Sequence, residues 1–452
     1  MRGPRRTWFG AGLLAILVAC QAGPTTSPSP EASRSGTPPG SAVLPTSTAA
    51  PTASPAPDPA ADLERLVTVL EAAHPDPWHG IGREEFGAAV DDYLDRLPGL
   101  SAEEATVELM RVVALLSRAG RDGHQFAFPT ERHDGPMLPL RVYEFSEGLF
   151  VTDALPPHRE LVGARLTAIN GHPIEEVLGA IEPLVPRDGP ATVPAHRPIL
   201  FLRTTVLRGL GFAGPGAVEL QVVDGAGAER RVSVEPVAAD EHRDWAGRFG
   251  TYRLPNVPEP AYLARDETLA TEVLDDGATV VLRYRFVASG DTDEARRLLA
   301  GDGVERLIVD LRQNPGGDNG TYGRLLRLVQ GWAAEHPGAT FVLTDRVTFS
   351  AAANLATELE GSTDAVFVGE AMGGSPNLYG DTTWLELPSQ PIPMRVAIAT
   401  RYWEMSTPDD DRLTIPPDIP IEVTAADHFS GRDPGIEAAL AASVPWTEPA
   451  SR

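Results

Sequence analysis

Apolar residues recur every three to four positions in three stretches that begin near residue 61, which predicts three amphipathic helices. The three apolar stripes are Leu63, Leu66, Val67 and Leu70, then Phe86, Val90, Leu94 and Leu97, and then Val107, Met110, Val113 and Leu116. Ser101 with Glu104 three residues later forms a capping box, which predicts the start of the third helix. We therefore predict an N-terminal helical domain over residues 61–135.

Residues 139–238 show the alternation of short strands instead. Apolar residues alternate from Val218 to Val222, Asp224 and Gly225 form a turn, and alternation resumes at Val232, which predicts a hairpin. One short helix is expected at 175–181. The run G-x-x-L-x-x-I-N-G from Gly163 to Gly171 resembles a PDZ-like module. PDZ domains add an extended peptide to a sheet edge; a generic β-rich insert is the alternative.

Residues 260–445 alternate between strand and helix, which is typical of a mostly parallel sheet covered by helices. Strands are predicted at 279–286, 305–311, 339–345 and 365–369, and helices at 292–300, 319–334 and 350–360. We expect an α/β fold for this third domain.

The N-terminus carries the features of an export signal. Arginines precede a short apolar run that ends in Leu-Val-Ala-Cys, so residues 1–20 predict a signal peptide. The tetrapeptide resembles a bacterial lipobox, which implies lipidation of Cys20 and attachment to the outer face of a membrane. An ordinary signal peptide is the alternative. Residues 21–60 are rich in Pro, Ser, Thr and Ala and predict a disordered tether.

Composition excludes several classes of function. Cys20 is the only cysteine, so the chain can form no internal disulfide and no thiol-based site. The net charge of −25 opposes binding to nucleic acid and to anionic lipid headgroups, so contact with a membrane is expected only through the lipid. The chain also contains no lysine.

Two turns of the third domain carry candidate chemistry. The buried run Leu307–Leu311 leads into Asn-Pro-Gly-Gly, where glycines 316 and 317 leave backbone N–H groups accessible to an oxyanion. After the next predicted strand, Ser350 precedes a helix that begins with Ala351. Such a serine often only caps its helix, but a nucleophile there gains from the helix dipole. Together the two turns offer what acyl transfer needs.

These motifs are similar to those of the tail-specific (C-terminal processing) serine peptidases. The matching runs are LIVDLRQNPGG, VTFSAAANLA, VFVGEAMGG and the closing PPDIPIEVT and GRDPGIEAAL. The resemblance implies a Clp-protease/crotonase-like core behind a helical segment and a PDZ-like module. It also implies Ser350 as nucleophile, with the N–H groups of Gly316, Gly317 and Ala351 as oxyanion donors.

The absence of lysine separates this chain from the serine–lysine branch of that family, because Ser375 stands where the lysine is expected. The tricorn-like branch uses a histidine in an Asp-Gly-His turn instead, and Asp122-Gly123-His124 matches it. The resemblance therefore implies His124 as the base and Glu404 as the acid that orients it.

The function expected from the sequence is hydrolysis of peptide bonds in peptide or protein substrates at the cell envelope, without a cofactor or metal. Two alternatives remain. One is a non-catalytic envelope lipoprotein that keeps the peptidase fold and binds a ligand or peptide. The other is a hydrolase that acts on a non-peptide ester. The oligomeric state is not predicted.

Overall fold

The computed structural model describes residues 57–246, 268–274 and 277–443. The predicted signal peptide, Cys20 and most of the predicted tether lie outside the described residues. No helix within the three described ranges is both long and apolar enough to cross a membrane.

The three predicted N-terminal helices are present as α1 (Pro59–Ala73), α2 (Arg83–Arg96) and α3 (Ala102–Ala114). Helix α1 begins before residue 60, where the tether was predicted to end. Asp58 explains the earlier start, because its side chain accepts hydrogen bonds from the first backbone N–H groups of the helix. Pro59 fits the first helical position, where a backbone N–H has no partner to lose.

Each helix buries its predicted stripe in part, and Val67, Leu94 and Leu97 are only partly buried. The capping box at α3 is confirmed, because Ser101 and Glu104 each accept a hydrogen bond from the other's backbone N–H. The stripe residues that are fully enclosed are Leu63, Leu66, Leu70, Phe86, Val107, Met110, Val113 and Leu116. The hydrophobic stripes therefore place these helices on the core that they share with the next module.

A β-rich module follows. Its elements and the strand before it are β1 (Phe126–Pro129), β2 (Leu140–Phe145), β3 (Gly148–Ala154), β4 (Arg165–Ile169), β5 (His172–Pro173), α4 (Ile174–Ile181), α5 (Thr192–Phe201), α6 (Thr204–Gly209), β6 (Val218–Val223), β7 (Glu229–Val234) and α7 (Ala239–Ala246). The sheet is antiparallel in the order β2-β3-β4-β6-β7, with β5 paired to β4.

The predicted hairpin and the helix at 175–181 are confirmed in this module as β6, β7 and α4. Helices α5 and α6 were not predicted. Pro198 lies inside α5, where a proline removes a backbone hydrogen bond and disfavours a helix in isolation. Burial of residues such as Leu200 and Phe201 offsets that cost in the folded chain.

The C-terminal part has the predicted strand–helix alternation. Its elements are β8 (Leu269–Leu274), β9 (Thr279–Tyr284), α8 (Asp293–Leu299), β10 (Arg306–Asp310), α9 (Gly323–Glu335), β11 (Thr340–Thr344), α10 (Ala351–Ser362), β12 (Val366–Gly369), β13 (Asn377–Leu387), β14 (Met394–Glu404), β15 (Ile419–Pro420), α11 (Ala425–Ser430) and α12 (Pro434–Ala441). Strands β9, β10, β11, β12 and β15 run parallel, and β8 closes the sheet antiparallel to β9.

Both faces of this six-stranded sheet are buried, which explains its continuous apolar strands. Residues such as Val309 and Val342 face α9 and α10, whereas alternate residues such as Ile308 and Phe341 face α12. The turns after β10 and β11 therefore end at one edge of a rigid, covered sheet.

The long hairpin of β13 and β14 was not predicted. Strand β14 pairs with β1, so that Phe126 lies opposite Ala397. This three-stranded sheet joins the N-terminal helical part to the C-terminal part and fixes the turn that precedes β1. That turn contains His124.

Two histidines, the buried His242 and the partly buried His428, should make the protein less stable in acid. Burial lowers the pKa of His242 and of His428 from the ordinary value to about 4. Between pH 6.5 and 4 the unfolded chain therefore binds more protons than the folded one, and stability falls as the pH falls. The contribution of each histidine is at most about 3 kcal/mol. We expect the free energy of unfolding, measured by urea denaturation, to depend less on pH in His242→Gln. The exposed His133→Gln serves as control, and an unchanged slope in His242→Gln would contradict the prediction.

Candidate active site

The structure brings together the two residues that the sequence proposed as nucleophile and base. His124 Nε2 lies 3.0 Å from Ser350 Oγ, although the residues are 226 positions apart in the chain. Their relative exposures are 5% and 4%, so the pair is shielded from bulk water. The ring of Phe349 stacks on His124 at 4.5 Å between centroids, which fixes the plane of the imidazole.

Ser350 has the backbone geometry of a strained turn rather than of an ordinary helix cap. Its φ is +53° and its ψ is −128°, and its side chain makes no capping hydrogen bond to α10. Non-glycine residues rarely adopt such a conformation, and it is found most often at functional sites. Gly316 packs directly against it, because a Cβ on Gly316 would lie 2.6 Å from the Ser350 Cβ. The hydroxyl therefore does not cap α10 and lies within hydrogen-bond distance of His124.

Hydrogen bonds tie the two turns of the sheet edge to each other. Asp345, after β11, accepts from the backbone N–H groups of Gln313 and Thr348. Phe349 donates its N–H to the carbonyl of Asn314 at 3.1 Å. The position of Ser350 is thus set by the neighbouring turn as well as by its own.

The oxyanion donors proposed from the sequence differ in their availability. Gly316 N–H donates to the side-chain oxygen of Asn314 at 3.0 Å, so it is already engaged. Ala351 is the first residue of α10, where a backbone N–H has no partner within the helix. For Gly317 N–H, the described part of the chain offers no acceptor. Gly317 and Ala351 are therefore the better donors, and Gly316 provides the space beside Ser350.

The turn that carries His124 is docked on the segment before α5. The N–H groups of Arg121 and Asp122 donate to the carbonyls of Asp188 and Arg187, at 2.6 and 3.0 Å. Gly123 N–H donates to the Asp188 carboxylate at 3.3 Å. A Cβ on Gly123 would lie 2.9 Å from the Phe349 ring, so only glycine allows this approach.

Asp188 is the site residue that the sequence analysis missed. Its surroundings, Pro-Arg-Asp-Gly-Pro, indicate an ordinary turn, and no periodicity points to it. It is fully buried. Burial raises the pKa of Asp188 to about 6, against the opposing effects of hydrogen bonding by Ser375 and of the charge on His124. A carboxylate thus lies within electrostatic reach of His124.

Ser375 holds that carboxylate in place. Its N–H donates to Asp188 Oδ1 at 2.9 Å, and its hydroxyl donates to the Asp188 carbonyl at 3.0 Å. Ser375 is fully buried. The position where the family resemblance expects a lysine base is therefore occupied by a residue that braces the segment behind His124.

Glu404 is the acid proposed from the sequence. It is the last residue of β14, is exposed to solvent and pairs across the hairpin with Asn377.

A cluster of His74, His79 and Asp122 lies behind the same turn, and its ligand atoms are all within 4.8 Å of one another. His74 Nδ1 accepts the N–H of Asp76, so its proton is on Nε2, which donates to Asp122 at 3.2 Å. A nitrogen that carries its proton offers no lone pair to a metal. The donor set fits a hydrogen-bond network that fixes Asp122 better than it fits a metal site.

No protein-family model matches the sequence, and no curated protein matches it either. Among solved structures, mature CPAF complexed with lactacystin is 14% identical, with a TM-score of 0.56 over 84% of this chain and 96% of CPAF. The photosystem II D1 C-terminal processing protease is 15% identical over 83% of this chain and 97% of the protease, with a TM-score of 0.38. The likeness to CPAF shows the fold, and the expected mixed α/β class is confirmed.

Proposed function

We propose that this chain is a serine-type peptidase of the tail-specific kind, in which Ser350 is the nucleophile and His124 is its base. One observation carries the proposal: His124 Nε2 lies 3.0 Å from Ser350 Oγ in a buried site. A serine hydroxyl is a weak nucleophile until an adjacent base takes its proton, and this distance is within hydrogen-bond reach.

The proposed reaction follows from the positions of these groups. Ser350 Oγ attacks the scissile carbonyl as its proton passes to His124 Nε2. The N–H groups of Gly317 and Ala351 stabilise the negative oxygen of the tetrahedral intermediate. The protonated His124 then gives its proton to the departing amine, and a water molecule activated by the same ring releases the acyl group from Ser350. The scheme uses no cofactor.

The proposed substrate is an extended peptide or protein chain at the cell envelope. The β-rich module, with its open antiparallel sheet, would present the peptide in the manner of a PDZ domain. The signal peptide and Cys20 support export and lipid anchoring, and the proline-rich run after Cys20 supports a spacer between lipid and catalytic domain.

A fluorophosphonate probe tests this proposal, because it reacts with activated serines. We expect the wild-type protein to be labelled on Ser350 and Ser350→Ala to take up no label. The alanine variant should keep its free energy of unfolding within about 1 kcal/mol, since Ser350 makes no capping bond. Labelling of a folded Ser350→Ala would move the nucleophile elsewhere. A wild-type protein that resists the probe and cleaves no peptide would favour the non-catalytic binding protein.

The anchor is tested separately from the chemistry. We expect Cys20→Ser to block lipid attachment and to move the protein from the membrane fraction to the soluble or uncleaved precursor pool. Metabolic labelling with a fatty-acid analogue and cell fractionation measure both effects. A chain that begins at residue 57 keeps the Asp58 cap of α1 and should fold and react with the probe as the whole chain does. Lipid incorporation into Cys20→Ser would contradict the anchor.

A further inference from the structure

A buried carboxylate without an arginine partner lies behind the proposed base. Asp188 is fully buried, and in the described part of the chain the charged group that acts on it is His124 rather than an arginine. Removing an ionised carboxylate from water is costly unless other groups compensate it. Its compensation therefore has to come from its hydrogen bonds and from His124, whose charge acts on it.

Asp188 is held rigidly from three sides. Its two carboxylate oxygens accept N–H groups from Gly123 and Ser375, at 3.3 and 2.9 Å. Its own N–H donates to the hydroxyl of Thr192, which in turn donates to the carbonyl of Gly373. The segment, the His124 turn and the loop that ends at Ser375 are thus locked together, so that the carboxylate cannot turn away to water.

The groups that face His124 come from several elements. Ser350 and Phe349 contact its ring. His196 on α5 also lies near: burial lowers the pKa of His196, and the charge on His124 lowers it further. The negatively charged Asp188 interacts electrostatically with the same ring. When Ser350 transfers its proton, the positive charge therefore forms beside a fixed, buried anion, where Coulomb attraction is much stronger than in water.

We propose that Asp188 is the residue that positions His124 and stabilises its protonated form, and that Ser375 acts by holding Asp188. The inference rests on the proposed function, since it assigns the third member of the Ser350–His124 pair. It replaces Glu404 in that role. It also gives Ser375 a purpose, because a hydroxyl and N–H at this position support the carboxylate that a histidine base requires.

Asp188→Asn tests the role of the charge. We expect a loss of at least about 100-fold in kcat, with KM changed less than about threefold, because the charge acts on the transition state. The acidic limb of the rate profile should move to lower pH by about one unit, since the protonated ring loses its anion. Ser375→Ala keeps the carboxylate and both of its backbone N–H donors and loses the hydroxyl that donates to the Asp188 carbonyl, so it should lose less than about tenfold. A purely structural role would lower activity without moving the limb.

Asp153→Asn is the matched control, because Asp153 is also a buried carboxylate whose pKa burial raises, but it lies on β3. It should keep the wild-type kcat and limb. Glu404→Gln is the rival variant: if it, and not Asp188→Asn, shows the loss and the shifted limb, the proposal is overturned.

A measurement on the wild-type protein covers the case in which Asp188→Asn does not fold. With ¹³C in aspartate carboxyl groups and ¹⁵N in histidine rings, the Asp188 signal should change at the pH where His124 titrates. Independent titrations would overturn the proposal. This measurement needs no catalysis. If the fluorophosphonate probe fails to label Ser350, the proposed function is refuted, but the titration still shows whether Asp188 and His124 are coupled.

Discussion

Replacing His124 with alanine lowers kcat by at least ~100-fold and removes the acidic limb of the rate profile. The chain has no lysine, so the proton of Ser350 has to pass to another base, and the His124 ring lies within hydrogen-bond distance. The neutral ring is the active form, so activity rises with pH through the range of about 6 to 7, where histidine ordinarily titrates. Steady-state rates on a peptide substrate from pH 5 to 9 measure both effects.

His133 provides the control for this experiment, because it is exposed and its ring hydrogen-bonds to Thr130. His133→Ala should retain activity. His74 and His79 are unsuitable controls, since both contact Asp122 in the turn that carries His124. An intact acidic limb in a folded, active His124→Ala protein would exclude the Ser350–His124 pair.

Replacing Asp310 with asparagine lowers the free energy of unfolding by about 3–5 kcal/mol. Asp310 ends β10 and receives hydrogen bonds from the guanidinium groups of Arg285 and Arg312, at 2.8 and 2.9 Å, and all three residues are buried. Burial raises the pKa of Asp310, but the charges of the two arginines outweigh it and hold the pKa well below its ordinary value. The asparagine variant leaves the buried Arg285 beside a neutral amide, whereas Arg312 keeps its second carboxylate partner, Asp433. Urea denaturation measures the loss.

Asp92→Asn is the matched control, because Asp92 also pairs with an arginine but on the exposed surface of α2. Such a pair contributes about 0–1 kcal/mol, so its loss should hardly move the urea midpoint. Because the pKa of Asp310 is lowered, its stabilising charge persists as the pH falls to the ordinary aspartate range and is lost only below it. A change of less than about 1 kcal/mol in Asp310→Asn at neutral pH would show that other groups neutralise the arginines.

The elements that local pattern defines were predicted well. Helices α1–α3, the β9–β12 strands and the helices between them follow from apolar periodicity and from a capping box, which depend on residues close in sequence. The hairpin of β13 and β14 was missed, because its pairing with β1 joins residues that lie far apart in the chain. Helix α5 was missed because its internal proline argues against a helix when packing is unknown.

The residues of the candidate site were likewise predicted from the sequence only in part. Ser350 and His124 were reached through motifs that resemble a known family, and the structure places the two within hydrogen-bond distance. Glu404 was proposed on the same grounds but is exposed at a strand end. Asp188 gave no signal, because a buried carboxylate in a Pro-Arg-Asp-Gly-Pro turn differs from a solvated one only in what packs around it.

The sequence by itself determined which types of side chain are available as base and nucleophile. Because the chain has no lysine, the base cannot be a lysine amine. Because its single cysteine lies near the N-terminus, the nucleophile of the folded domain cannot be a thiol. The tertiary structure decided which remaining groups meet. Docking of the His124 turn against Asp188 and Phe349 depends on contacts between segments from three parts of the chain. Such contacts arise only when the core closes, because burial and long-range hydrogen bonds, unlike helix periodicity, are not properties of neighbouring residues.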